Sequence, residues 1–415
     1  MQAQSEIGRR SGTTLYHGWL VVAAAFLVAM FGFGLGFYGP GIYLVGLQDR
    51  HGWAAAQLSS AVTVYYLFGA TLLFFWVGRW FDRYGARAVV TIGAAALSGG
   101  LVLLSLLTER WQVYGAFALM SVGWAVMSGA AINIIIAPWF DKRRGLAVSW
   151  ALNGSSLGGV VFAPLLTFLT ARFGFAAAVD IAAAAMLAIL VPVVALVLRP
   201  KRGGEHDPPD GDAPADRVAA VGAKPEWRIG AVLRRRSFVT ISIPFALGLT
   251  AQVGFLTHQM AFLAPAMGTV MAGWAVSLTT FAAILGRIVT GFVVDRLERR
   301  LVACANFIVQ AVGTATLALG TTETALYAGC VLFGFSVGNM TSLPGLIVQQ
   351  EFPKQHFARA ISLVVAINQF SFAFGPSLLG QLQQASGSYV AALCLCLVMQ
   401  IVAAIVVVSW GRSAA

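Results

Sequence analysis

The chain has 415 residues, of which 59% are hydrophobic and only 10% charged. Soluble domains average roughly 45–50% apolar and about 25% charged residues, so this composition excludes an ordinary soluble protein and makes lipid the expected solvent. The formal charge of +11 does not imply nucleic acid, because the basic residues gather where apolar runs end.

A helix crosses a bilayer with about 20 apolar residues. Asp, Glu, Lys and Arg divide the first half into apolar runs at 18–48, 52–78, 88–108, 111–140, 145–171 and 173–198, the last holding one acid, Asp180. The first run is too long for a signal peptide, and no cleavage site stands out after it. Residues 199–236 are rich in Pro, Gly and charge. They are expected to form a linker, with a short surface helix before Arg234. The second half gives runs at 237–294, 301–322, 324–350 and 360–411. The first and last of these are long enough for two helices each, with breaks expected near Pro265 and Gly268 and near Gln384 and Gly387. The expected fold is all-α and integral to the membrane. It has twelve transmembrane helices, in an N-terminal half (1–198), a cytoplasmic linker (199–236) and a C-terminal half (237–415).

Lys and Arg set the orientation. The termini, the linker and the even-numbered loops carry 23 of them, and Arg50, Arg110 and Arg172 are the 3 on the other side. Both termini are therefore expected in the cytoplasm. The 45 glycines suit closely packed membrane helices. The cysteines, Cys304, Cys330, Cys394 and Cys396, all fall in apolar runs and read as packing residues.

Two loops match. GRWFDRYGAR after span 2 and GFVVDRLERR after span 8 share G-x-x-x-D-R-x-x-x-R, with Gly78, Asp82, Arg83 and Arg87 in register with Gly291, Asp295, Arg296 and Arg300 at an offset of 213. Two six-helix halves carrying the same loop at the same place read as a duplicated transporter. Glycine allows close helix approach, Asp accepts from backbone N–H groups, and the arginines bridge carboxylates or lipid phosphates. These eight residues are the expected cytoplasmic gate.

The pattern resembles the major facilitator superfamily over nearly the whole chain. Within it, the sequence is similar to the monocarboxylate transporter family and its bacterial relatives, including oxalate–formate exchangers. The residues that carry the resemblance are YHGWLVVAAAFL, HGWAAAQLSSAVTVYYL, PWFDKRRGLAVSWALNGSSLGG and GRIVTGFVVDR, with Pro164 and Pro376 at similar places in spans 5 and 11. The resemblance implies alternating access, a small carboxylate as substrate, proton symport and a bacterial inner-membrane location.

Arg287 is the one basic residue placed inside an apolar run. It lies about 12 Å, eight residues, from the end of span 8, where burying Arg against lipid costs at least about 2.5–3.5 kcal/mol. It is therefore expected to face the bundle interior, and its planar fork suits a carboxylate. The resemblance agrees, since the family holds its substrate with an Arg in R-x-x-x-G at this place. Snorkelling is near its limit at this depth. Further candidate substrate contacts are His258, Asn368, Gln369, Tyr38, Tyr66 and Asn133. Tyr43, Tyr65 and Asn339 are weighed beside them, and helix–helix hydrogen bonding or packing is the alternative for each.

The sequence also departs from the family pattern. Proton-coupled relatives carry Asp where this chain has Ala283, and a Lys in span 1 that GFGLGFYGPGIYLVG lacks. Span 11 lacks the Lys of the oxalate exchangers. A single cavity cation suits a monoanion. By elimination, any proton carrier is His258 or Asp180; for Asp180 the alternative is a pair with Arg172.

An exporter of amphipathic drugs or metabolites is the competing transporter reading, alongside an exchanger or facilitator. A sensor would need a larger appended domain than the linker provides. No Ser/His/Asp set, Walker loop or metal cluster points to an enzyme, a metal or a cofactor. The expected partners are the carboxylate, protons and membrane lipids, with the protein acting as a monomer.

Overall fold

The computed structural model describes residues 16–140, 143–199, 232–294 and 296–409, and of 354–359 the backbone alone. Ten of the described helices are long and apolar enough to cross a membrane. One of them, Ala55–Ser105, contains Gly85 at φ 74° and ψ 162°, where the chain turns back. Only glycine takes that conformation without steric cost, so this helix is two spans. A further span is broken into two shorter helices, Glu323–Val337 and Leu343–Glu351. The described residues thus hold twelve spans.

In chain order the first half comprises α1 (His17–His51), α2 (55–84), α3 (86–105), α4 (Gln112–Ile136), α5 (Arg144–Phe173) and α6 (Phe175–Val197). The second comprises α7 (Arg236–Met267), α8 (Thr269–Val293), α9 (Arg299–Leu319), α10 (the broken span), α11 (Lys354–Ala373 and Gly375–Ser386) and α12 (Tyr389–Val408). The breaks expected in the two longest runs of the second half fall at Gly268 and Gly387, both at positive φ. Most of the 199–236 stretch, with its expected surface helix, lies outside the described residues.

The two halves repeat in their irregularities as well as in their loops. Helix α4 breaks at Ser128, whose ψ of 170° is extended. The break in α10 spans 338–342, which includes Thr341, the residue 213 positions on. The prolines differ. Pro164 lies within an unbroken α5, whereas Pro376 opens the second segment of α11, where a missing N–H costs nothing.

One end of the bundle carries the arginine-bearing loops and is called here the arginine-rich end. At the opposite end the halves are sealed by small residues. The Ser277 hydroxyl of α8 donates to the Val160 carbonyl of α5 at 2.8 Å, and the Ser377 amide of α11 donates to the Thr63 hydroxyl of α2 at 3.2 Å. Gly41 of α1 lies so close to α7 that a Cβ there would be 2.8 Å from the Thr257 carbonyl. Towards the arginine-rich end, the segments Gly129–Ile136 and Leu343–Glu351 pack against helices of their own half. The seam between the halves is therefore packed at the end opposite the arginines.

Arg300 explains how the second half holds its arginine-rich end together. It is buried and makes a bidentate pair with Glu351, Nε to Oε1 at 2.5 Å and Nη2 to Oε2 at 2.8 Å, while Nη1 donates to the Val407 carbonyl at 2.7 Å. The start of α9 is thus pinned to the ends of α10 and α12. Removing one partner of a buried pair costs about 3–5 kcal/mol. Glu351→Gln should lower the thermal unfolding temperature of the purified protein, and Arg300→Met with Glu351→Leu should recover most of the loss. An unfolding temperature unaltered by Glu351→Gln would contradict the pinning role.

Candidate functional site

Arg287 is half-buried on α8, on the face that meets α10 and α5. Its Nε donates to the Gly338 carbonyl at 3.3 Å, in the break of α10. No described residue pairs with its two terminal nitrogens. One turn back lies Ala283, buried, so α8 supplies no acid to neutralise the guanidinium. The side chain is anchored at one atom, and its fork is free.

Tyr38 lies against α8 from the other half, beside Thr280, two turns before Arg287. Its ring lies against α5 and α8, and a Cβ on Gly159 would fall 2.7 Å from it. No described residue hydrogen-bonds its hydroxyl. Tyr38 closes the π-helical turn Gly34–Tyr38 within α1. Such a turn disturbs the regular pairing of backbone carbonyls. Three tyrosine hydroxyls supply donors there: Tyr43 to Leu35 O at 3.0 Å, Tyr65 to Gly36 O at 2.7 Å and Tyr66 to Phe37 O at 3.4 Å. Tyr43 and Tyr65 thereby hold the turn that presents Phe37 and Tyr38.

Tyr66 reaches across the boundary between the halves. Its ring centroid is 5.5 Å from that of Phe372 of α11, 6.2 Å from Phe37 and 6.1 Å from Trp124 of α4. Phe37 stacks on Trp124 at 5.8 Å and 20°. Asn368, one helical turn before Phe372, is buried with its Oδ1 lacking any protein partner among the described residues. Gln369 beside it is half-buried. Tyr38 and Tyr66 thus reach the second half from the first, Tyr38 beside α8 and Tyr66 beside α11. Phe37, Trp124 and Phe372 join them without having been singled out in the sequence.

Other expected residues lie elsewhere. His258 is fully buried within the second half, its Nε2 2.9 Å from the Pro376 carbonyl and its Nδ1 3.1 Å from the Tyr389 hydroxyl. A carbonyl only accepts, so Nε2 carries hydrogen and Nδ1 is left to accept from Tyr389 in the neutral ring. His258 ties α7 to α11 and α12. Asp180 is half-buried, and its Oδ1 is enclosed without a hydrogen-bond partner among the described residues. Arg172 is exposed, and the two form no ion pair. Asn133 donates to its own helix at Gly129 O, 2.9 Å away. Asn339 is helix–helix glue, donating to Asn306 Oδ1 at 2.9 Å. In the paired loops, Gly78, Asp82, Arg83, Arg87, Gly291 and Arg296 are exposed, with Arg83 over the Tyr84 ring at 5.4 Å. Asp295 lies outside the described residues. Arg300 bonds within its own half, so the matched loops do not meet through it.

The family model for the Major Facilitator Superfamily matches residues 24–271 and 259–413. Monocarboxylate transporter 11 of Mus musculus is 28% identical over 409 residues, covering 91% of this chain and 84% of that protein. The Fujikurins efflux protein of Gibberella fujikuroi is 26% identical over 306 residues, covering 72% of this chain and 61% of the relative. Among solved structures, a point mutant of the nucleoside transporter NupG superposes with a TM-score of 0.74 over 94% of this chain and 98% of its own, at 14% identity, a likeness of fold. The chain is a membrane transporter rather than an enzyme, and it belongs to the Major Facilitator Superfamily.

Proposed function

We propose that the protein is a secondary transporter of organic monoanions, small monocarboxylates first among them, and that it works by alternating access. The observation that carries this reading is the Arg287 guanidinium. It is held by the Gly338 carbonyl and left without an acid among the described residues, on the helix that Tyr38 of the opposite half packs against. A carboxylate bound there touches both halves, so its arrival and departure bias which end is sealed. The similarity to a monocarboxylate transporter supports the substrate class. The distribution of Lys and Arg supports cytoplasmic termini, with the arginine-rich end inside. A bacterial inner membrane and kinship with oxalate–formate exchangers rest on the sequence motifs.

Exchange or facilitated diffusion fits the site better than proton symport. Ala283 stands where a proton-binding acid would adjoin Arg287, and His258 has a complete set of hydrogen bonds in its neutral form. A carrier of this kind runs down its substrate gradient in either direction, so the efflux named for a relative is the second reading. The test is uptake of labelled carboxylates into proteoliposomes with and without an inward proton gradient. Wild type, His258→Gln and Asp180→Asn should all ignore the gradient. Accumulation driven by the gradient and lost in either variant would restore proton symport through that residue.

A further inference from the structure

Arg287, whose terminal nitrogens have no partner among the described residues, shares α8 with the packing site of Tyr38, which begins an aromatic row, and the arrangement narrows the monocarboxylate reading on which this step rests. Arg287 and Tyr38 stand at one side. Next to Tyr38 is Phe37, ring centroids 5.2 Å apart and planes at 89°. Phe37 leads to Trp124 and Tyr66, and Tyr66 leads to Phe372, which it meets edge to face at 81°. We propose that the substrate is an aryl monocarboxylate. Its carboxylate takes the Arg287 fork and the Tyr38 hydroxyl, and its ring lies along Phe37, Trp124 and Phe372.

Three observations separate this wall from an ordinary core cluster. It spans the boundary between the halves, with members from α1, α2, α4 and α11, and that boundary must part and re-form during transport. Phe37 is half-buried, unlike Tyr66, Trp124 and Phe372, and Phe33 one turn earlier is half-buried as well. The π-helical turn that carries Phe37 and Tyr38 is kept in place by three tyrosine hydroxyls, and turns of this kind concentrate at functional sites. Aromatic rings gain from offset or edge-to-face contact beyond simple burial, a gain that a two- or three-carbon acid cannot make. The enclosed Oδ1 of Asn368, one turn from Phe372, has no donor among the described residues.

Isothermal titration of the purified full chain with 2-naphthoate and with propionate tests the proposal. 2-Naphthoate should bind at least about tenfold more tightly, as expected when an aromatic ring is buried against aromatic partners. Phe37→Leu and, separately, Phe372→Leu should bring the two affinities to within about threefold of each other by removing those partners. Arg287→Gln should weaken both ligands. Equal affinities in wild type, both dependent on Arg287, would sink the ring contact while leaving the carboxylate reading intact. Tight 2-naphthoate binding that ignores Arg287→Gln would overturn the carboxylate reading. A preference that survives both phenylalanine variants, or no saturable binding of 2-naphthoate, would also overturn the proposal.

Discussion

Arg287→Lys should abolish most transport while leaving the protein folded. Lysine keeps the charge but has no Nε–H for the Gly338 carbonyl and no planar pair of donors for a carboxylate. Losing the bidentate hydrogen bonds to a charged group costs about 2 kcal/mol. At that figure, affinity for the anion falls about thirtyfold. Uptake by the variant in proteoliposomes, normalised to folded protein, should fall at least that far at substrate concentrations below saturation. Wild-type uptake by Arg287→Lys would mean that the guanidinium is structural.

Gly380→Leu should break the seal at the end opposite the arginines. A Cβ at Gly380 would lie 2.9 Å from Ser59 Cβ and 3.2 Å from Ala56 Cα across the α2–α11 seam, and leucine adds three more carbons. Overpacking costs about 1–3 kcal/mol, and it is charged only to the state in which this seam is shut. The population with that end open should therefore rise by about fivefold or more. Thr167 is a suitable reporter because it is buried against Gly273 in the other seam. A cysteine at position 167 should react with a water-soluble maleimide at least about fivefold faster in the Gly380→Leu background. Equal labelling rates would mean that the seam tolerates the side chain and does not govern closure.

Much of the fold was readable because membrane helices have to be apolar for their whole length. The spans, the breaks at Gly268 and Gly387 and the duplicated halves all follow from that rule and from repeated motifs. Arg287 was readable for the same reason, since a charge at mid-membrane depth needs a purpose. The remainder depended on contacts between distant residues. Arg300 carries the same motif position as Arg87, yet it is buried on Glu351, 51 residues further on. The first half has Pro138 at the position matching Glu351 and its acid, Asp141, three residues later, and Arg87 is exposed. His258 read as a cavity group because it is polar within an apolar run. Its partners, a backbone carbonyl and Tyr389, leave no sequence signal. The aromatic wall was hidden among 28 phenylalanines, because only packing across the halves distinguishes Phe37 and Phe372 from their neighbours.

The most direct measurement of the central claim is binding of a carboxylate and of its neutral carboxamide to the purified wild-type protein, followed by isothermal titration in low salt. The two ligands share size and shape and differ in the charge that Arg287 is held to read. The free, partly buried fork should favour the carboxylate at least about thirtyfold, from a floor of about 2 kcal/mol for a desolvated charge pair, and Arg287→Gln should erase the difference. Equal binding of acid and amide by wild type, or a preference for the acid that persists in Arg287→Gln, would contradict the account.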